Sequence, residues 1–503
     1  MLTYPVVTDH ETLLQTLDMI LEEVGIDRVS DGTSYPVTFA GMDPIRPTGL
    51  KVGCMAAAIT GANAVVSAMI WKMRSGTSSG QSIHIDLRKA YVSQSAWQDV
   101  LVDYTVINGT RHMMGGEVGG FGNQVLQCQD GRYVMLVSLY ASNTNRTMKL
   151  LDSGTLRPQL ERACLKWKAV ELETAAQAAA VPCVMCRTPE EFQATPQYTV
   201  HMSTPLIQIT KIGHSKVEPF TTNGTRPLSG IRALGMVHVV AGPAVLRQLA
   251  AQGADCLNLN TLNWVEYPCL YWQCDAGTRQ AYLEARTCPD KVYELVQEAD
   301  VFVQNLRPNM ADTQGFSAKK LAEIRPGIIH VTIGMNALDG PWKDWMGYDF
   351  NAAALTGLLM ELGKTDGVEF GCESGAPSTP KGVQVVCDFL TGYLATIGIQ
   401  AALLRRAKEG GSYQVQVNLT QTVMFAMMIG LIEKATLDKH ATGDLENMHQ
   451  HQPRTPKLQS GMTAFGEFTR LGSQIEMSET PEYWEAPIIH PIGSSKAEWL
   501  PKK

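Results

Sequence analysis

Asp388 is the residue of this chain whose surroundings best suit it to chemistry. It follows Cys387 and opens Asp388-Phe389-Leu390-Thr391-Gly392, at the head of a Gly/Ala-containing stretch that reads as a helix over residues 385–406. The first turn of a helix offers unpaired N–H groups and the positive end of the dipole, so a carboxylate there is favoured as the anion. Such a carboxylate can attack a carbonyl carbon, or it can do no more than cap its helix. Tyr348 and Asp349 stand in Gly347-Tyr348-Asp349, ahead of a second helical stretch at 350–359 that Asp349 can cap. An unperturbed Tyr, with a pKa of about 10, is a poor base near neutral pH. Gly119 and Gly120 begin Gly119-Gly120-Phe121-Gly122-Asn123. Glycines in that density permit close backbone approach and an oxyanion-binding nest, or form a flexible linker. Arg307, in Gln304-Asn305-Leu306-Arg307-Pro308, is a planar cation suited to a phosphate, or a plain surface charge.

The elements that must position these residues read as α/β. An apolar run at 231–240 is closed by Ala241-Gly242-Pro243, and Val245, Leu246 and Leu249 then fall at helical spacing before Gly253. A strand over 254–259 completes a βαβ unit, and buried strands follow at 301–303 and 328–333. The expected fold is a doubly wound, Rossmann-like parallel sheet with long buried helices and a smaller α+β domain. Ligands then belong at the carboxyl ends of the strands. No Gly-x-Gly-x-x-Gly follows the first strand, which argues against a plain dinucleotide-binding enzyme.

A helix is expected over residues 9–24, capped by Thr8 or Asp9 and striped with Leu13, Leu14, Leu17, Ile20 and Leu21. Residues 52–74, dense in Ala and Gly, read as a buried helix, followed by an alternating strand at 81–87. The same helix–turn–strand pattern returns at 385–419. An offset of 332 residues, without a gap, sets Ile83 on Val415, Asp86 on Asn418 and Ala56 on Asp388. The first copy therefore lacks the acid. Residues 91–113 read as helical, and Gln129-Asp130-Gly131 marks a hairpin. Helices are expected at 142–151, 158–166 and 170–180, with another starting at Thr188-Pro189. The boundaries that follow are 1–124 for a helical segment with the first copy and the glycine loop, 125–205 for the small α+β domain, 206–225 for a linker, 226–440 for the Rossmann-like domain with the second copy, and 441–503 for a tail packing back over the first half.

At 503 residues the chain has room for two or three cored domains. A net charge of −7 argues against a nucleic-acid partner. Among eleven Cys, Cys183 and Cys186 form one Cys-x-x-Cys with no second pair, which reads as two core thiols and not a metal site. The expectation is a cytoplasmic protein with free thiols, without metal and without a membrane span, since the apolar run at 56–70 is shorter than the roughly 20 residues a span needs.

In order along the chain, Ala241-Gly242-Pro243, Gln304 to Pro308, Gly347-Tyr348-Asp349 and Cys387-Asp388-Phe389-Leu390-Thr391-Gly392 resemble the family III CoA-transferases, the group that includes formyl-CoA transferase, carnitine-CoA transferase and α-methylacyl-CoA racemase. The resemblance implies an Asp nucleophile at Asp388, which takes an acyl group as a mixed anhydride and then CoA as a thioester. It implies a mobile loop at Gly119 and Gly120, and CoA contacts at His238, Val239, Ala241, Asn305, Leu306 and Arg307. A CoA thioester is then the co-substrate, a small acyl compound the other partner, and an interlocked homodimer the expected assembly. Three departures stand out. Tyr348 replaces the proton-accepting His of the racemases, Val240 replaces a polar residue, and Thr261 replaces a basic one. The order is also permuted, with a helix–strand copy and the small domain preceding the sheet. Transfer between an acyl-CoA and a carboxylic acid is the first expectation. Epimerisation, isomerisation or cyclisation of an acyl or polyketide-like metabolite by a repurposed relative is the second. A non-catalytic binding or scaffold protein is the third.

Overall fold

The apolar, β-branched segments pair into one sheet in a computed structural model that describes residues 1–31, 33–77, 79–94, 104–111, 122–262, 266–366, 376–378 and 387–501. Seven strands lie in the order Gln208–Gly213, Ser412–Asn418, Ile329–Gly334, Val301–Gln304, Arg232–Met236, Asp255–Asn260 and Thr278–Tyr282. All neighbours are parallel except the first pair, where Gln208–Gly213 runs antiparallel along the edge. Buried parallel strands need cover on both faces. Ala233, Val303, Val331 and Val415 pack on one side with Val245 and Leu249 of helix Ala241–Ala251 and Ile397 of helix Asp388–Glu409. Leu234, Leu257 and Phe302 pack on the other with Val292 and Leu295 of helix Pro289–Gln297. From Arg232–Met236 the chain moves outward to Asp255–Asn260 and Thr278–Tyr282, then returns to Val301–Gln304 on the opposite flank. The loops leaving Arg232–Met236 and Val301–Gln304 therefore diverge and leave a crevice between them.

Helix Val52–Ser75 lies against helix Asp388–Glu409, where Gln400 Nε2 donates to Ser67 Oγ at 2.9 Å and to Asn63 Oδ1 at 3.3 Å. At 24 residues this helix is longer than the 56–70 run suggested, and long and apolar enough to cross a membrane; 94% of its most apolar window is enclosed by the protein itself. The two helix–strand copies share more than their own pattern. Ile83–Asp86 has a parallel neighbour, Val37–Ala40, and an antiparallel one, Ile475–Met477. Ser412–Asn418 likewise has Ile329–Gly334 parallel and Gln208–Gly213 antiparallel.

A smaller antiparallel sheet joins Gly122–Gln127, Tyr133–Ser138 and Cys183–Met185, with helices Ala141–Leu151, Arg157–Cys164 and Ala169–Ala178. Cys183 and Cys186 are free and buried, and they belong to different cores.

Four expectations change. Residues 206–225 are not all linker, because Leu206 and Ile207 are buried and lead into the edge strand Gln208–Gly213. The described part of 91–113 is not a long helix. Asn108 and Gly109 both adopt positive φ, 51° and 76°, and turn Val106–Ile107 onto Thr110–Arg111 as a hairpin. The stretch at 350–359 breaks at Gly357, whose φ is 94°. The C-terminal residues pack on both halves: Ile475–Met477 pairs with the first copy, and the Trp484 indole donates to Arg247 O at 2.9 Å.

Candidate active site

The first strand, Arg232–Met236, ends in a turn that is held from three directions. Asn258 Oδ1 accepts from Val237 N at 3.2 Å. His238 N donates to Asn305 Oδ1 at 3.1 Å, and Asn305 Nδ2 returns a bond to His238 O at 2.8 Å, so the two loops flanking the crevice are tied reciprocally. Val239 sits at φ 67°, a left-handed conformation that a β-branched residue adopts only under outside constraint. Its N–H donates to Glu266 Oε1 at 3.3 Å, and the Tyr140 hydroxyl donates to both Glu266 oxygens at 3.1 Å. Burial raises Glu266 to about 7, against the pull of those two bonds.

Helix Ala241–Ala251 starts from this turn, with Pro243 in its first turn where the absent N–H costs nothing. Helix Asp388–Glu409 reaches the same place because Gly392 lacks a side chain; a Cβ there would lie 2.6 Å from Ala241 O. Two helix N-termini thus converge at the crevice. Asp388 is the first residue of the second helix and is 9% exposed. Among the described residues its carboxylate accepts no hydrogen bond. Burial, and then the charge of Asp349, hold it well above the usual carboxylate range. The helix tip was expected to favour the anion; desolvation and a like charge act against the dipole here.

Asp349 opens helix Asp349–Thr356 but does not cap it. Its Oδ1 accepts from the backbone N of Cys387 at 3.0 Å and from Cys387 Sγ at 2.9 Å, so it pins the turn that presents Asp388. The first copy has the same device. Asp43, in Gly41-Met42-Asp43, accepts from Gly53 N at 3.2 Å and Cys54 N at 2.8 Å at the start of helix Val52–Ser75. The shared clamp sets Cys54 on Cys387, one residue off the 332-residue offset, so fully buried Met55, and not Ala56, holds the place of Asp388.

Asp388 lines a cavity of about 100 Å³, together with His238, Val239, Ala241, Asn305, Leu306, Arg307 and Tyr348. His238, Leu306, Arg307, Met346 and Tyr348 also line a larger cavity of about 530 Å³ over the carboxyl ends of the strands, so the two adjoin. Thr261, Arg286 and Arg146 lie around the larger part. The exposed Arg307 guanidinium makes no ion pair among the described residues. Tyr348 accepts from Asn143 Nδ2 at 2.9 Å, and Asn143 Oδ1 accepts from Arg146 at 2.6 Å. Burial pushes Tyr348 up to about 12 and His238 down to about 4, so at neutral pH the phenol keeps its proton and the imidazole is a neutral, weak base.

The sequence-derived residues thus meet at one crevice, except that Asp349 sits behind it and Gly119 and Gly120 lie outside the described residues. Glu266, Tyr140, Arg146 and Arg286 were not singled out. Arg286, just past strand Thr278–Tyr282, was reachable by the same carboxyl-end rule that picked Arg307. Tyr140 and Glu266 were not, since only the fold brings them together.

The model of CoA-transferase family III matches residues 22–218 and 228–460. The chain belongs to CoA-transferase family III. An acetyl-coenzyme A transferase of Hypoxylon pulicicidum is 26% identical over 255 residues, 48% of this chain and 41% of that protein. A formyl-CoA:oxalate CoA-transferase of Streptomyces avermitilis is 30% identical over 227 residues, 42% of this chain and 53% of that protein. This family III chain therefore spans about half the length of the curated relatives it matches. Among solved structures, a CaiB/BaiF family protein of Brucella suis is 24% identical with a TM-score of 0.35, covering 48% of this chain and 65% of that one. The family match falls in two blocks on either side of the 219–227 stretch, one holding each helix–strand copy.

Proposed function

We propose that this chain transfers CoA from an acyl-CoA to a carboxylic acid, with Asp388 as the nucleophile. One observation carries the reading: a buried carboxylate without a hydrogen-bond donor among the described residues faces a cavity that adjoins a larger one lined by three arginines. A desolvated carboxylate is a stronger nucleophile than a hydrated one, and the neighbouring arginines suit the phosphates of CoA.

The Asp388 carboxylate adds to the thioester carbonyl and the C–S bond breaks, giving a mixed anhydride and CoA thiolate. The thiolate adds to the Asp388 carbonyl and expels the first acid, leaving an aspartyl thioester. The acceptor carboxylate repeats the sequence and regenerates Asp388. Asp349 holds the helix tip, and the turn at His238 to Ala241 supplies backbone groups beside the reacting atoms. The strand order and the helices on both faces support reading the sheet as doubly wound and Rossmann-like. Tyr348, raised to about 12, weighs against the epimerase alternative. One chain brings the small domain to the sheet through Asn143 and Tyr348, which supports a site assembled within a single chain.

Incubation with an acyl-CoA followed by hydroxylamine and peptide mass spectrometry is the test. A hydroxamate on Asp388, and none in the first copy, is the expected result. An unmodified Asp388 under turnover sinks the proposal.

A further inference from the structure

Two arginines away from the crevice are buried without an ion pair among the described residues. Arg247 lies on helix Ala241–Ala251 and Arg470 on strand Gly466–Leu471. They are 6% and 1% exposed. Both donate to one carbonyl, Gln273 O, at 2.6 Å and 2.9 Å, and Arg470 also reaches Gln273 Oε1 at 3.1 Å. Arg247 further donates to the Tyr393 hydroxyl. Neither has an ion pair among the described residues. Three of their N–H groups, Nε of Arg247 and both Nε and Nη1 of Arg470, are buried without any partner.

Such groups are costly unless something accepts from them. The nearby acids do not: Asp275, whose charge acts on both arginines, accepts from Gln280 Nε2 at 2.8 Å and pairs with neither, and Glu482 lies on the far side. The Glu482 carboxylate is taken by Gln248, Gln252 and Ser473. Both arginines line a cavity of about 40 Å³, which also includes Tyr393, Gln273, Ser473 and Glu482. A water needs roughly 10–15 Å³ on the same measure, so there is room for an ion or for two or three waters. Water offers both donors and acceptors, whereas unpartnered nitrogens on two cations that line one cavity favour an acceptor with negative charge.

We propose that this cavity binds one small monovalent anion, a halide or a short carboxylate, between Arg247 and Arg470. Burial, with Arg247 as the second cause, holds Arg470 down to about 9. The site would tie three segments together: the helix that begins at the His238 turn, the C-terminal hairpin, and the Asp388 helix. The last contact is direct, because the Arg247 guanidinium carbon lies 4.6 Å from the Phe389 ring, next in the chain to Asp388. The inference is independent of the catalytic proposal, since the cavity does not include Asp388.

The test is wild-type protein crystallised with sodium bromide, together with thermal melts in chloride or acetate at constant ionic strength, balanced by a sulfonate too large for the cavity. An anomalous bromide peak within hydrogen-bonding distance of Arg470 Nη1 is expected. The melting midpoint should rise by about 1–3 °C per tenfold increase in the anion that binds, then level off. The chloride and acetate arms distinguish halide from carboxylate. Arg470→Met should lose the saturable rise. No bromide peak in wild-type crystals together with no saturable rise in acetate overturns the proposal, as does an undiminished response in Arg470→Met. If that variant does not fold, the wild-type map and melts decide.

Discussion

Asp388→Asn keeps the size of the side chain and removes the attacking charge. Turnover should fall by roughly 10⁴-fold or more, in keeping with losses at other nucleophiles. Stability should move the opposite way. A carboxyl group whose folded pKa is raised favours the folded state most below its unfolded value, and that contribution is lost as pH rises above it. At neutral pH the Asn variant should therefore melt higher than the parent in a differential scan. Glu266 permits a sharper version of the same measurement. Its folded value of about 7 stands above the ordinary 4.5, so stability should decline between about pH 4.5 and 7. Glu266→Gln keeps an oxygen for Val239 N and for Tyr140 and should flatten that decline. At pH 8 it should be more stable by roughly 1–3 kcal/mol in urea titrations. Little of this was legible beforehand. Asp388, Arg307 and Tyr348 stood out by motif and order. Glu266 did not, because its meaning depends on Tyr140, 126 residues away.

At the scale of elements, the approach of helices Ala241–Ala251 and Asp388–Glu409 hangs on one missing side chain. Gly392→Val would set atoms against the Ala241 carbonyl, and over-packing of this kind costs about 3 kcal/mol. The separation of the helix tips should also show as a raised KM for acyl-CoA, with kcat less affected. The periodicity of these helices was plain in the sequence; the 332-residue offset fits the strand ends at Asp86 and Asn418 but slips by one at the helix starts, where Cys54 matches Cys387. The edge strand Gln208–Gly213 escaped notice because Pro205 and the later Pro219 and Asn223-Gly224 read as loop chemistry. The hairpin at Asn108-Gly109 was missed although its turn residues are a strong local signal.

For the molecule as a whole, the C-terminal residues act as a clasp. Ile475–Met477 completes the sheet of the first copy, Trp484 bonds to the Arg247 carbonyl, and the Trp499 indole donates to Leu295 O at 2.9 Å. Ending the chain at residue 473 should therefore lower the melting temperature of the whole protein and broaden its transition, as followed by circular dichroism. A single sharp transition at the parental temperature would contradict it. Packing back over the first half was expected, but the strand partners were not legible, since residues 441–503 lack a regular apolar period and pair with strands more than 300 residues earlier.

Asp43 gives an unexpected control for reading mutants. Here an acid clamps the beginning of a helix with no reactive neighbour beside it, so clamping by itself is a sufficient reason for a carboxylate at that position. A dead Asp349→Ala enzyme would consequently be poor grounds for naming a second chemical participant. The informative comparison is Asp43→Ala beside Asp349→Ala: equal losses of rigidity would be the shared mechanical share, and only the remainder in turnover would belong to the reaction.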